Sequence, residues 1–174
     1  MTDLVVRDAQ VGDAVRVAPI YNHYITGTYA TFETEPVSID EMQERIMAIT
    51  DDGYPFLACE SGESGVIGYA YASRWKNRCA YSSTVETTVY LDPAFTGRGG
   101  GSLLMNRLIE TISEAGYHAA IAGIALPNPA SVALHERLGF TQVAHFRETG
   151  YKQDRWIDVG YWELLLVENR SAST

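Results

Sequence analysis

Two hydrophobic periods alternate along this chain and divide it into predicted strands and helices. Short runs rich in Val, Ile and Tyr are typical of strands, whereas apolar residues spaced three and four apart are typical of helices that bury one face. The predicted strands span residues 4–7, 55–60, 66–73, 84–91, 118–126, 140–147 and 159–167. The predicted helices span residues 14–24 and 39–49, a stretch that runs from a glycine cluster to residue 115, and residues 130–138.

Polar residues mark the ends of these elements. Asp13 is predicted to cap the first helix, and Ser38 with Glu41 has the spacing of a capping box at the second. Residues 25–37 lack an apolar period and are predicted to form a loop, and residues 151–158 a polar connection between the last two strands.

The order of the elements predicts an α/β protein with a mixed α+β sheet. Several strands follow one another without an intervening helix, and the strands on either side of residues 62–65 are predicted to form a hairpin. The length of 174 residues and the absence of a repeat or linker favour a single domain over residues 1–174.

Charge and cysteine content narrow the function. A net charge of -9 argues against a general binder of nucleic acid or anionic membranes, which would carry a basic face. Cys59 and Cys79 are too few and too far apart for a thiolate metal site. No apolar run reaches membrane-spanning length, and the first residues lack the features of a signal peptide, so a cytoplasmic protein is expected.

The strongest local feature is the glycine cluster after the strand at 84–91. The strand stops at Pro93, and the cluster Thr96-Gly97-Arg98-Gly99-Gly100-Gly101-Ser102 leads directly into the helical pattern. Such a junction presents unpaired N–H groups at a helix N-terminus, which attract a phosphate. A plain turn is the alternative reading, but a P-loop is excluded because no Gly-Lys-Ser/Thr follows.

A second signal is the segment from Asn128 to Phe140, about 27 residues after the glycine cluster. It reads Asn-x-x-Ser-x-x-x-His-Glu-x-x-Gly-Phe, with Ser131 and His135 inside the predicted helix. Taken alone, Asn128 is a good helix cap and His135 an ordinary helical histidine. The combination with the glycine cluster is far more specific than either part.

On these segments the chain resembles the GNAT superfamily of N-acetyltransferases, and within it the phosphinothricin and methionine sulfoximine acetyltransferase family. The resemblance spans nearly the whole chain. It also includes Thr31-Phe32-Glu33-Thr34-Glu35-Pro36, Trp75-Lys76-Asn77-Arg78, Glu86-Thr87-Thr88-Val89-Tyr90, Gly150-Tyr151-Lys152 and Trp156-Ile157-Asp158-Val159-Gly160-Tyr161-Trp162.

This resemblance implies the GNAT acyl-CoA N-acyltransferase fold, with a mostly antiparallel sheet, a splayed strand at the acetyl-CoA site and flanking helices. It implies acetyl transfer from acetyl-CoA to a small amine by direct attack, without a metal. It also implies a homodimer built by the C-terminal strands, with residues 151–156 approaching the partner's acceptor site. Herbicide resistance through acetylation of phosphinothricin would follow.

The resemblance assigns acetyl-CoA to the strand, the glycine cluster and the following helix. The family loop usually begins with Arg or Gln, where this chain has Thr96, so a side-chain contact at that position is lost or shifted to Arg98. The implied cofactor-binding residues are Thr88, Val89, Tyr90, Leu91, Thr96, Gly97, Arg98, Gly99, Gly100, Gly101, Ser102, Asn128 and Ser131.

Catalysis is assigned by the resemblance to two residues. Most amines are ammonium ions near neutral pH, so the reaction needs a general base, and Glu86 is the candidate. His135 lies where many superfamily members carry a Tyr that protonates the departing thiolate. Imidazole can donate or accept a proton, so His135 is predicted to have an acid/base role, with protonation of the thiolate and deprotonation of the amine both open.

Substrate binding is assigned to two further segments. Arg78 and Lys76 are candidates to grip an α-carboxylate, with Tyr81 beside them. Phe32 is predicted to pack on the substrate side chain, and Glu33 to hold its ammonium group. The preferred substrates are L-phosphinothricin, methionine sulfoximine and methionine sulfone; the alternatives are a protein N-terminus or polyamine as acceptor, or a non-catalytic acetyl-CoA-binding module.

Overall fold

The computed structural model describes residues 4–166, which form a seven-stranded sheet with two helices packed on each face. The predicted strand at 159–167 ends at Val167, outside the described residues. The strands are β1 Leu4–Asp8, β2 Phe56–Ser61, β3 Val66–Arg74, β4 Thr84–Leu91, β5 Ala119–Leu126, β6 Thr141–Lys152 and β7 Arg155–Leu165. The helices are α1 Ala14–Gly27, α2 Ile39–Asp51, α3 Gly100–Glu114 and α4 Pro129–Arg137.

The sheet is mixed, as predicted, and has the order β1-β2-β3-β4-β5-β7-β6. All neighbouring strands are antiparallel except β4 and β5. These two pair only between Thr84–Glu86 and Ala119–Ile121, and then diverge toward their carboxyl ends. The divergence is the splay that the family resemblance implied, and it opens a gap in the middle of the sheet.

Each face of the sheet carries its own core. On one face Leu104, Leu108 and Ile112 of α3 are fully buried against the sheet, as their helical spacing predicted. On the other face α1 and α2 pack on β2 and β3 through Val17, Ile46 and their neighbours. Because both faces are covered, the gap between β4 and β5 is bounded by helices on each side.

The capping role predicted for Asp13 is wrong. Its carboxylate accepts two hydrogen bonds from Arg7 of β1, at 2.7 and 2.9 Å, and one from the Gln10 N–H at 2.7 Å. A bidentate guanidinium is a stronger partner for a carboxylate than a helix N–H group. At α2 the prediction is confirmed in part, since Ser38 Oγ accepts from the Glu41 N–H but the Glu41 side chain turns to Arg45.

The polar connection predicted at residues 151–158 is also wrong. The strands β6 and β7 continue into this segment and form a hairpin whose turn consists of Gln153 and Asp154, both with positive φ. Such turns match the twist of the flanking strands but usually carry Asn or Gly, so the sequence lacked the usual signal. The hairpin brings Lys152 and Arg155 to the same end of the sheet as the cavity described next.

Candidate active site

The glycine cluster forms an anion-binding helix N-terminus. Gly99 adopts a left-handed conformation with φ of 89° and precedes α3, which begins at Gly100. The first N–H groups of a helix have no partner within it, so those of Gly100, Gly101 and Ser102 point out of the helix end. A Cβ at Gly101 would lie 3.3 Å from Leu91 Cδ1, so the loop closes tightly on β4.

The side chains of this loop turn away from the helix end. Thr96 Oγ1 donates to the Pro93 carbonyl at 3.0 Å, and the Arg98 guanidinium lies over the ring of Phe95, 5.2 Å from its centre. Thr96 lines the cavity and Arg98 does not. The backbone N–H groups, rather than these side chains, are therefore the anion donors that the loop presents.

A cavity of about 650 Å³ fills the gap between β4 and β5 and reaches the glycine loop. This volume is typical of a site for a small molecule. All of the predicted catalytic and cofactor-binding residues line this cavity except Arg98 and Gly100. The lining comprises Tyr24, Ala30, Glu86, Thr87, Thr88, Val89, Tyr90, Leu91, Thr96, Gly97, Gly99, Gly101, Ser102, Ala122, Gly123, Ile124, Ala125, Asn128, Ala130, Ser131, Ala133, Leu134, His135 and Arg137.

Glu86 lies at the point where β4 and β5 begin to diverge. Its carboxylate makes no hydrogen bond with any residue in 4–166, and burial raises its pKa, an effect that the charge of Lys76 opposes. A Cβ at Gly123 would lie 3.6 Å from Glu86 Oε1, so the bare glycine leaves space beside the carboxylate. A half-buried carboxylate with a raised pKa and an open face can accept a proton.

His135 is 3% exposed, and its hydrogen bond fixes its tautomer. Nδ1 lies 2.8 Å from the Ser131 carbonyl oxygen, which can only accept, so Nδ1 carries the proton. Burial lowers the pKa of His135, so the ring is neutral and Nε2 keeps its lone pair. In this state the imidazole can accept a proton at Nε2 but has none to give there.

Asn128 and Ser131 have structural roles as well as places in the cavity. Asn128 Oδ1 accepts from the Ser131 N–H at 3.1 Å and so caps α4. The bond uses the oxygen of the carboxamide and leaves its NH₂ group as a donor. The capping interpretation of Asn128 is confirmed, and contact with a cofactor stays a prediction.

None of the five predicted substrate-binding residues lines the cavity. Both carboxylate oxygens of Glu33 accept from Arg45, at 2.7 and 3.0 Å. Arg78 and Tyr81 are exposed in the connection before β4, and the Lys76 ammonium lies 4.9 Å from the centre of the Trp75 ring. Phe32 packs on Gly150 of β6.

Several cavity residues had no local signal in the sequence. Ala30 and Tyr24 come from the region of α1 and its loop, and Gly123 from the middle of an apolar strand. Tyr24 donates its hydroxyl to the Leu91 carbonyl at 2.6 Å, which ties α1 to the end of β4. Arg137 could have been suspected, because it follows His135 by two residues in the motif that the sequence singled out.

The described residues contain neither a candidate metal site nor a helix suited to crossing a membrane. In the part of the chain from residue 4 to 166, no group of three or more His, Cys, Asp or Glu side chains could hold a metal ion. None of the helices described there is long and apolar enough to cross a membrane.

Comparison with known protein families matches the acetyltransferase (GNAT) domain to residues 6–160. The chain is 40% identical over 158 residues to the phosphinothricin N-acetyltransferase of Streptomyces viridochromogenes, covering 91% of this chain and 85% of that protein. It is 36% identical over 167 residues to the L-methionine sulfoximine/L-methionine sulfone acetyltransferase of Salmonella typhimurium, covering 95% and 96%.

Among solved structures, the chain is similar to a phosphinothricin acetyltransferase from Sinorhizobium meliloti in complex with acetyl-CoA. The two share 38% sequence identity and superpose with a TM-score of 0.92, covering 97% of this chain and 90% of that one.

Proposed function

We propose, for a chain that belongs to the GNAT acetyltransferase family, that the acetyl group of acetyl-CoA is transferred to the α-amino group of a small amino-acid analogue. The enzyme is an acetyl-CoA-dependent N-acetyltransferase. L-Phosphinothricin, methionine sulfoximine and methionine sulfone are the proposed acceptors, since relatives at 34–40% identity carry these names. Acetylation of phosphinothricin would confer resistance to it as a herbicide.

One observation carries the proposal. The gap between β4 and β5 holds an anion-binding helix end on one side and the carboxylate of Glu86 on the other, which accepts no hydrogen bond from any residue in the described range 4–166. An acetyl donor that carries a pyrophosphate and an acceptor that carries an ammonium group need these two features in one cavity.

The residues of the loop fit acetyl-CoA. The left-handed Gly99 and the close approach of Gly101 to Leu91 leave backbone N–H groups bare at the start of α3, where a pyrophosphate would be held. Val89 and Leu91 would hold the pantetheine through the unpaired edge of β4, and the Val89 N–H would polarise the thioester carbonyl. When bound, acetyl-CoA supplies the activated acetyl group.

Glu86 is proposed to take the proton of the acceptor ammonium, directly or through a water. Burial raises the pKa of Glu86, so this carboxylate is a better base than an exposed one, and the space beside Gly123 admits the amine. The leaving thiolate needs little help, because thiols are modestly acidic.

His135 is proposed to accept rather than donate a proton. Its Nδ1–H is used by the Ser131 carbonyl and its ring is neutral, so only the Nε2 lone pair is offered. Of the two roles that the sequence left open, acceptance of a proton fits this tautomer. The proton would come from the amine, directly or through an intervening water. Protonation of the thiolate would require a second proton on a ring whose pKa is lowered.

Recognition of the acceptor is proposed to involve Lys76 and Arg78 at the α-carboxylate, with Phe32 and Tyr81 along the side chain. Arg78 is exposed and free to reach a carboxylate bidentately. Glu33 was predicted to hold the ammonium, and its pair with Arg45 already occupies both of its oxygens. We therefore propose that Glu33 does not bind the acceptor.

A thiol-release assay tests the proposed function. We expect turnover with phosphinothricin, methionine sulfoximine or methionine sulfone, and a kcat/KM lower by roughly tenfold or more with unmodified amino acids, spermidine or a peptide, since a site that hydrogen-bonds a polar group rejects analogues that lack it. Turnover confined to peptide or polyamine would contradict the acceptor class. Acetyl-CoA binding without any turnover would favour the binding-module alternative.

We further propose that two copies of the chain associate through β6 and β7. The strand β6 is the last of the sheet, and Trp156 and Phe146 on this hairpin are 61% and 51% exposed. An unpaired edge with exposed aromatic side chains is typical of an interface. Light scattering should give the mass of a dimer, and Phe146→Glu with Trp156→Glu should give a monomer; a monomeric parent at micromolar concentration would contradict this.

The cytoplasmic location expected from the sequence stays a prediction.

A further inference from the structure

An irregular segment, residues 28–37, lies between α1 and α2, and its Ala30 contributes to the lining of the cavity. We refer to it as the crossing segment. It contains no helix or strand, so its own backbone does not fix its position. Side chains from other elements must hold it in place.

Arg45 of α2 holds the segment from one side. Its guanidinium forms a bidentate pair with Glu33, and a third bond of 2.7 Å to Glu41 on its own helix orients it. The Tyr21 hydroxyl donates to the same Glu33 carboxylate at 2.8 Å. The pair lowers the pKa of Glu33, which therefore stays ionised throughout the neutral range.

Lys152 of β6 holds the segment at a second point. This lysine is 6% exposed, and its Nζ donates to the Thr31 carbonyl at 2.7 Å. Between the two anchors the Phe32 ring lies so close to Gly150 that no side chain would fit there. The two chain neighbours of Phe32, Thr31 and Glu33, are therefore each bound by a cation, and Phe32 itself packs on a glycine.

We propose that Arg45 and Lys152 are positioning residues for the acetyl acceptor, because they hold Thr31 and Glu33 in the stretch of chain directly after Ala30 of the cavity lining. Neither cation lines the cavity between β4 and β5, although Arg45 borders a second, smaller pocket of about 200 Å³ beside α2 and β3. Both oxygens of Glu33 accept from the Arg45 guanidinium, so we assign Arg45 a role through the crossing segment rather than on the substrate. The inference rests on the proposed function in one respect, that an acceptor enters beside this segment. It changes the role of Glu33 from a substrate ligand to an anchor.

If Arg45 holds the crossing segment, its replacement should change the KM for the acceptor and leave the binding of acetyl-CoA unchanged. Arg45→Gln is expected to raise the KM for the amino-acid acceptor roughly tenfold or more, as for the loss of a bidentate charge-assisted pair. The dissociation constant of acetyl-CoA should not change, because the hydrogen bonds of Arg45 go to Glu33 and Glu41 and involve no residue of the glycine loop. Arg45→Lys should recover part of the loss, since Lys keeps the charge but cannot bind both carboxylate oxygens of Glu33 at once as a guanidinium does.

Glu41→Gln is the matched control. It removes the other partner of Arg45 and changes the charge of α2 by the same magnitude, but it leaves the bond to Glu33 in place. We expect its KM to stay within about twofold of the parent, as for an exposed helix pair. Equal effects of the two substitutions would overturn the anchoring role of Arg45.

Hydrogen exchange of the free protein tests the anchors without a reaction. Amides of the crossing segment should exchange faster in Arg45→Gln and in Lys152→Met, while those of β3 serve as an internal reference for general loss of stability. Unchanged exchange in the segment would overturn the proposal. Inactivity of the parent toward every acceptor would instead count against the proposed function, and the exchange result would still decide whether the anchors hold.

Discussion

Replacement of Glu86 by Gln is expected to lower kcat by roughly 100- to 10,000-fold, the range for loss of a general base. Gln has nearly the same shape but no basic oxygen pair, so the space beside Gly123 is kept while proton removal is lost. Acetyl-CoA should bind as before, since its proposed donors are backbone N–H groups at α3. Steady-state kinetics with calorimetric binding of acetyl-CoA measure the two effects separately.

The pH profile sharpens this prediction. Burial raises the pKa of Glu86, so in the parent the base is lost by protonation as pH falls through a value above the usual range for Glu. The Gln variant should lack this acidic limb. A limb that remains below the usual pKa of His would belong to His135, whose pKa is lowered.

The control for Glu86 is Glu110→Gln on α3, where the carboxylate is exposed and pairs with Arg107 one turn away. It removes the same charge far from the gap and should leave kcat unchanged. An unchanged kcat in Glu86→Gln would show that His135, or the acceptor itself, supplies the basic group.

Local sequence signals predicted most of the fold. The strand β4 was predicted at residues 84–91, where it lies, because its run of Val, Thr and Tyr is bounded by clear breakers. The spacing of Leu104, Leu108 and Ile112 identified the buried face of α3. The errors at Asp13 and at the β6–β7 turn share a cause, since in both a tertiary contact or strand pairing replaced the local preference.

The candidate site likewise has features that local motifs predicted and features that depend on the folded structure. The glycine loop, Glu86 and His135 could be found because each lies in a contiguous motif, and the cavity brings them together. The pairing of Glu33 with Arg45 could not, because it depends on how the crossing segment folds back on α2. The same holds for the tautomer of His135, which a single carbonyl oxygen on its own helix decides.

Leu108→Ala is expected to lower the free energy of unfolding by about 2–5 kcal/mol, the range for Leu-to-Ala substitutions in a core. Leu108 is fully buried in the core between α3 and the sheet, with Val85, Ala120 and Trp162 in the same cluster. A helix held against a sheet along its length cannot collapse into the vacated space, so the cavity largely persists. Urea unfolding at fixed protein concentration measures the change as a shift of midpoint at constant slope.

Leu103→Ala separates burial from helix propensity. The same substitution five residues earlier on α3 removes a side chain that is 39% exposed. Ala forms helices at least as well as Leu, so this variant should stay within about 0.5 kcal/mol of the parent. Equal losses in the two variants would mean that α3 is stabilised along its whole surface, and that the period read from the sequence does not identify its core face. A loss confined to Leu108 would show that the period does identify it, and that packing on the sheet fixes the helix whose N-terminus faces the cavity.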